Sequence, residues 1–110
     1  MTNIVVSGDD ISILQTLKRA GVAVNISTAT KVESRLYSAN STDFMTPVTE
    51  QVNTGNASWS AGVVEHLFPP SATEASRYEG QLILETQVTM GGKKTTWRST
   101  DLSMVRGLIP

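Results

Sequence analysis

A chain of 110 residues with nine basic and ten acidic side chains, no cysteine and a single histidine is sized for one domain. That inventory excludes disulfides, thiol nucleophiles, thiolate zinc sites and paired-histidine metal motifs. The near-neutral charge has no basic cluster, and aromatic residues make up only 5%, so there is no footprint for nucleic acid or anionic lipid and no stacking surface for bases.

No apolar run approaches the roughly 18 residues of a spanning helix. The start, MTNIVVSGDD, lacks the basic residues and long apolar stretch of a secretory signal, so the expectation is a protein made in a cytoplasm, with no membrane partner. Twelve Ser and fourteen Thr, with many Val and Ile, favour pleated, half-solvated strands.

Taken in chain order, Asn3 to Ser7 reads as a short strand ended by Gly8, Asp9 and Asp10. Ile11 to Arg19 admits two readings. As a helix it has Asp10 as cap, Ile11, Leu14 and Leu17 on one stripe, Lys18 and Arg19 in the last turn and Gly21 beyond the end. As a strand it puts Ile11, Ile13, Gln15 and Leu17 on one side, with Ala20 and Gly21 turning into a strand from Val22 to Ile26. The strands around it favour the second.

Ala29 to Ser38 alternates, with Val32, Ser34 and Leu36 on one face and Lys31, Glu33, Arg35 and Tyr37 on the other. Phe44 to Thr49 reads as an edge strand, because Pro47 has no N–H to donate. Trp59 to Phe68 reads as a strand with Gly62, Val64, His66 and Phe68 in one register. Ser71 and Glu74 have capping-box spacing and predict one helical turn near Ser71 to Arg77.

Tyr78 to Thr89 turns Leu82, Leu84, Thr86 and Val88 one way and Ile83, Glu85 and Gln87 the other. Gly91 and Gly92 close a hairpin into a last strand, Thr95 to Val105, interrupted or bulged around Thr100 and Asp101. The whole reads as an all-β sandwich of about seven strands, a single domain over residues 1–110. The expected core is Trp97, Leu82, Leu84, Val88, Val32 and Leu36.

The chemistry-bearing candidates are few, and no catalytic, cofactor-binding or metal-binding residue is assigned. Any imidazole mechanism must run through His66, and Glu65 cannot orient it, because consecutive strand residues face opposite ways. Asp9 and Asp10 as a cation site need further acidic residues at loop-ligand spacing, and none follows. Gly91-Gly92-Lys93-Lys94-Thr95 has phosphate-loop composition, but the earlier glycine is missing and strands flank it on both sides. The triplets at Asn25, Asn40 and Asn56 match the glycosylation pattern and, without a signal segment, are expected to be unmodified. Trp59 is either a core residue or a binding platform.

The order of landmarks adds a resemblance. Ile4-Val5-Val6-Ser7-Gly8-Asp9-Asp10, Trp59-Ser60-Ala61-Gly62-Val63-Val64, the capping turn, Tyr78 to Val88, Gly91 to Trp97 and Val105-Arg106-Gly107-Leu108-Ile109-Pro110 follow in sequence. Over nearly its whole length the chain resembles small tailed-phage virion proteins similar to the N-terminal immunoglobulin-like domain of the upper baseplate protein. The resemblance favours the strand reading of Ile11 to Arg19. It implies an immunoglobulin-like sandwich without catalysis, made in a host bacterial cytoplasm and located in the virion, as an adaptor or attachment module at the tail, baseplate or fibre base.

Its expected partners are other virion proteins in a multicopy assembly, with no nucleic acid, membrane or cofactor. The candidate interface comprises Pro47, Thr42, Asp43, Asn53, Asn56 and Trp59, since edge strands and turns expose unpaired backbone groups. A capsid decoration protein is the alternative role, and a small-ligand-binding β domain is the alternative from another class.

Overall fold

The computed structural model describes residues 3–6, 10–39, 44–53, 59–72 and 80–105. In chain order the strands are β1 (Asn3–Val6), β2 (Ile11–Thr16), β3 (Lys18–Arg19), β4 (Val22–Ala23), β5 (Lys31–Ser38), β6 (Thr49–Glu50), β7 (Val63–Phe68), β8 (Gly80–Met90) and β9 (Lys93–Val105). Strands dominate; among the described residues there is no α-helix, only isolated 3-10 turns at Trp59–Ala61 and Pro70–Ala72. A five-stranded sheet runs β1-β9-β8-β5-β6, a two-stranded sheet pairs β2 with β7, and β3 and β4 form a small hairpin.

Alternation organises the larger sheet. Along β5 and β8 every second side chain is buried, so Val32, Ser34, Leu36, Leu82, Leu84, Thr86 and Val88 share the inner face. The β8–β9 hairpin turns through Gly91 and Gly92, whose φ values of 56° and 79° fit a two-residue turn twisted like its strands. The register slips between Leu82, opposite Leu102, and Leu84, opposite Ser99, so an extra residue on β9 makes a bulge at Thr100 and Asp101. That slip lets Leu102 and Met104 join the buried face.

The smaller sheet faces this one across a shared core. Ile11 of β2 and Phe68 of β7 pack with Leu36, Phe44, Leu82, Leu84, Leu102 and Met104. Farther along, Leu17, Ile26, Val32, Val64 and Val88 form a second cluster, against which Trp59 and Trp97 lie half-buried.

Several other expectations need correction, but Ile11 to Arg19 is extended, as its favoured reading has it, and broken only at Leu17. Its cross-strand partners on β7 outweigh the local helix signals. Val22 to Ile26 contributes only two strand residues before Ile26 N–H donates to Trp59 O at 2.8 Å. Trp59–Ala61 is a 3-10 turn rather than the start of β7, because Gly62 at φ 76° redirects the chain.

Phe44 to Thr49 is not a strand: only Met45 bridges Tyr37, and pairing resumes at Thr49. Trp97, expected in the core, is half-buried at its rim, where its indole N–H reaches Lys18 O at 3.1 Å; that polar tip keeps the ring from full burial. The turn at Pro70–Ala72 falls at the expected capping position, while Thr73 to Arg77, with the capping Glu74, lies outside the described residues.

Candidate interaction surface

The segment from Phe44 to Asn53 passes from the edge of the larger sheet to the smaller one. Phe44 is buried, and Thr46, also buried, substitutes its side chain for a missing ladder bond: Leu36 N–H donates to Thr46 Oγ1 at 2.9 Å, and Thr46 N–H donates to Leu36 O at 2.9 Å. Arg35 Nε fixes Thr46 O at 2.9 Å. Thr49 and Glu50 then pair with Ser34 and Glu33.

Gln51 ties the layers together. Its buried amide nitrogen donates to Ser34 Oγ on β5 and to Thr49 O, and its Oε1 accepts from Leu67 N–H on β7 at 2.8 Å. Val52 bridges Glu65, so the second edge of β7 is partly closed by this segment.

Held by these anchors, the segment turns Met45, Val48 and Val52 outward, each more than half exposed, with Pro47 and Asn53 also exposed. Branched and apolar side chains displayed on a fixed backbone form a ready contact ridge, since little entropy remains to be lost on docking. Beneath Val48 a groove of about 130 Å³ is lined by Glu33, Ser34, Arg35, Glu85 and Gln87, well below the roughly 300 Å³ from which small-molecule sites start.

Of the sequence-derived candidates, Pro47 and Asn53 lie on this segment. Thr42, Asp43 and Asn56 lie outside the described residues. Trp59 sits apart, packed on the second core cluster with its indole Nε1 buried and unpartnered. Asp10 is exposed beside a hollow of about 440 Å³ lined by Ile11, Ser12, Leu67, Phe68 and Pro69, where it is the one ionisable side chain among the described lining residues.

His66 lies in the opposite environment, fully buried between the sheets. Its Nε2 is 2.8 Å from Gln15 Oε1, which also accepts from Thr86 Oγ1 at 2.8 Å. Facing an amide oxygen, Nε2 carries the proton, and Nδ1 is left as a bare, unpartnered acceptor. Desolvation holds the imidazole down at about 4, so it is neutral at physiological pH. Glu65 points to the other face of β7 and pairs in register with Leu14.

A hydroxyl, an amide and an imidazole thus meet where solvent does not reach, which suits a polar tie between sheets better than proton exchange with a substrate. Among the described residues no three His, Asp or Glu side chains converge as metal ligands would, and no helix is long and apolar enough to cross a membrane.

Sequence alternation put Gln15 in register with Ile11 and Leu17, and His66 with Val64 and Phe68, without deciding which side of either strand is buried. It missed Thr46 and Gln51, whose roles depend on partners 10 and 17 residues away and leave no local pattern. Compared with protein-family models, curated proteins and solved structures, the chain matches none.

Proposed function

We propose that this chain is a non-catalytic structural module of a tailed-phage virion, an immunoglobulin-like β-sandwich acting as an adaptor or attachment subunit at the tail, baseplate or fibre base. The landmark order from Ile4 to Pro110 supports the virion assignment, and two sheets facing across one core are compatible with the sandwich. The observation that carries the docking role is the ridge of Met45, Val48 and Val52, more than half exposed on a backbone fixed by Thr46 and Gln51. Other virion proteins are its partners. Repetition on a symmetric particle turns modest contacts of this kind into stable attachment through avidity.

The test is incorporation into particles. Mass spectrometry of purified virions should find the chain in fixed proportion to tail proteins, and Val48→Glu combined with Val52→Glu should abolish incorporation while leaving the thermal melt unchanged. Recovery with capsids that lack tails would move the role to capsid decoration. Absence from particles would overturn the virion reading.

A further inference from the structure

The free edge of β2 has the pattern of a self-pairing strand. On one side β2 is paired with β7 over all six residues; its other edge has no partner among the described residues. Leu17 N–H donates to Gly62 O at 2.7 Å, so odd-numbered residues turn their amides toward β7. Ser12, Leu14 and Thr16 then turn theirs away, leaving three donors and three acceptors in a row. Nothing in Ile-Ser-Ile-Leu-Gln-Thr guards that row: it holds no charge and no proline, the usual protections of an exposed edge. The β6 edge of the larger sheet is guarded, since β6 is only two residues long, contains Glu50 and follows Pro47.

We propose that two copies of this chain pair antiparallel through β2, about a two-fold axis at Leu14, to form a continuous four-stranded sheet β7-β2-β2-β7. A second copy is the occupant that the charges fit. With Leu14 opposite Leu14, Ser12 stands opposite Thr16 and Asp10 opposite Lys18, and symmetry makes that opposite-charge pair twice.

Asp10 and Lys18 are both exposed. Sliding the register by two residues in either direction puts Asp10 opposite Thr16 or Ala20 and loses both pairs. In the matched register the two Leu14 side chains, 58% exposed in the single chain, meet directly across the axis. Pairing also relieves the weakness of a two-stranded sheet, which is marginal by itself.

The inference concerns the purified chain alone and does not rest on the virion role. Because the chain contains no cysteine, Leu14→Cys introduces one thiol per copy. Directly opposed residues of a hydrogen-bonded antiparallel pair lie about 5.5 Å apart, within disulfide reach. Under mild oxidation Leu14→Cys should cross-link almost completely. Leu67→Cys, exposed on the same face but one strand farther from the axis on each copy, should not.

Sedimentation should show a dimer whose dissociation constant rises about tenfold in Asp10→Lys and in Lys18→Asp, and returns toward the unmodified value in the double variant. Each substitution is on an exposed side chain, and far-UV circular dichroism checks that each variant is folded. A monomer at all concentrations, equal cross-linking at Leu67→Cys, or no recovery in the charge-swapped double variant would overturn the proposal.

Discussion

The two sheets follow opposite rules. In the five-stranded sheet the buried face is built mainly from Val32, Leu36, Leu82, Leu84 and Val88. The solvent face runs Arg35, Glu85 and Arg98 side by side across three strands, with Arg98 Nε bonded to Glu85 Oε2 at 3.0 Å. In the two-stranded sheet Gln15 and His66 point inward, while Leu14 and Leu67 stand out at 58% and 41% exposure. The first arrangement maximises the stability of one chain. The second spends interior space on a polar tie and leaves Leu14 and Leu67 outside, the apolar surface that the proposed pairing through β2 uses.

The largest effects that would break this contrast are in the core. Leu84→Ala should cost about 2–5 kcal/mol, since it removes a buried side chain and leaves a cavity. Leu14→Ala, on the outer face of the other sheet, should change single-chain stability by no more than about 0.5 kcal/mol. Denaturant melts in dilute solution compare them, and equal losses would erase the distinction.

Next in size is the pH dependence of the polar interior. His66 titrates at about 4 in the folded chain against an ordinary value of 6.5, so below pH 6.5 the unfolded chain takes a proton that the folded chain refuses. Its contribution is fully present above pH 6.5, falls as pH drops toward 4 and is flat below. The total loss is on the order of 3 kcal/mol at about 1.4 kcal/mol per unit. Stability curves across this range should show that decline, and His66→Leu should remove it.

Backbone geometry gives a further pair of effects where the smaller sheet begins. A Cβ at Gly62 would lie 2.7 Å from Val24 O and 3.0 Å from Leu17 O at a φ of +76°, so Gly62→Ala should destabilise by at least about 2 kcal/mol. Ala20, by contrast, already sits at φ 52° in the β3–β4 turn. Ala20→Gly should raise the melting temperature slightly, with a gain of roughly 0.5–1 kcal/mol.

The smallest contrast separates the tryptophans. Trp97→Phe loses the bond to Lys18 O and should cost about 1 kcal/mol more than Trp59→Phe, whose buried indole N–H has no partner to lose. Melts of the two variants measure the difference.

Period-two alternation made the larger sheet legible in the sequence. The faces of β5 and β8, the glycine hairpin and the irregularity near Thr100 all follow from local pattern and turn chemistry. The smaller sheet was harder to read, because Ile13 and Leu14 are both apolar and helix signals at Asp10, Lys18 and Gly21 compete with the strand. Which of the two faces solvent is set by β7 and the larger sheet. The contact ridge was legible only as Pro47 and Asn53; its rigidity comes from the hydroxyl of Thr46 and the amide of Gln51, whose partners are distant in sequence.

The central claim is that stability resides in the five-stranded sheet, while the two-stranded sheet, the one proposed to pair, is the less stable layer. Native-state hydrogen exchange of the dilute chain tests it most directly. Amides of β8 should exchange only through global unfolding, whereas those of Ile13 and Gln15, bonded to β7, should exchange through a smaller opening at lower free energy. Equal opening free energies for the two sheets would contradict the account.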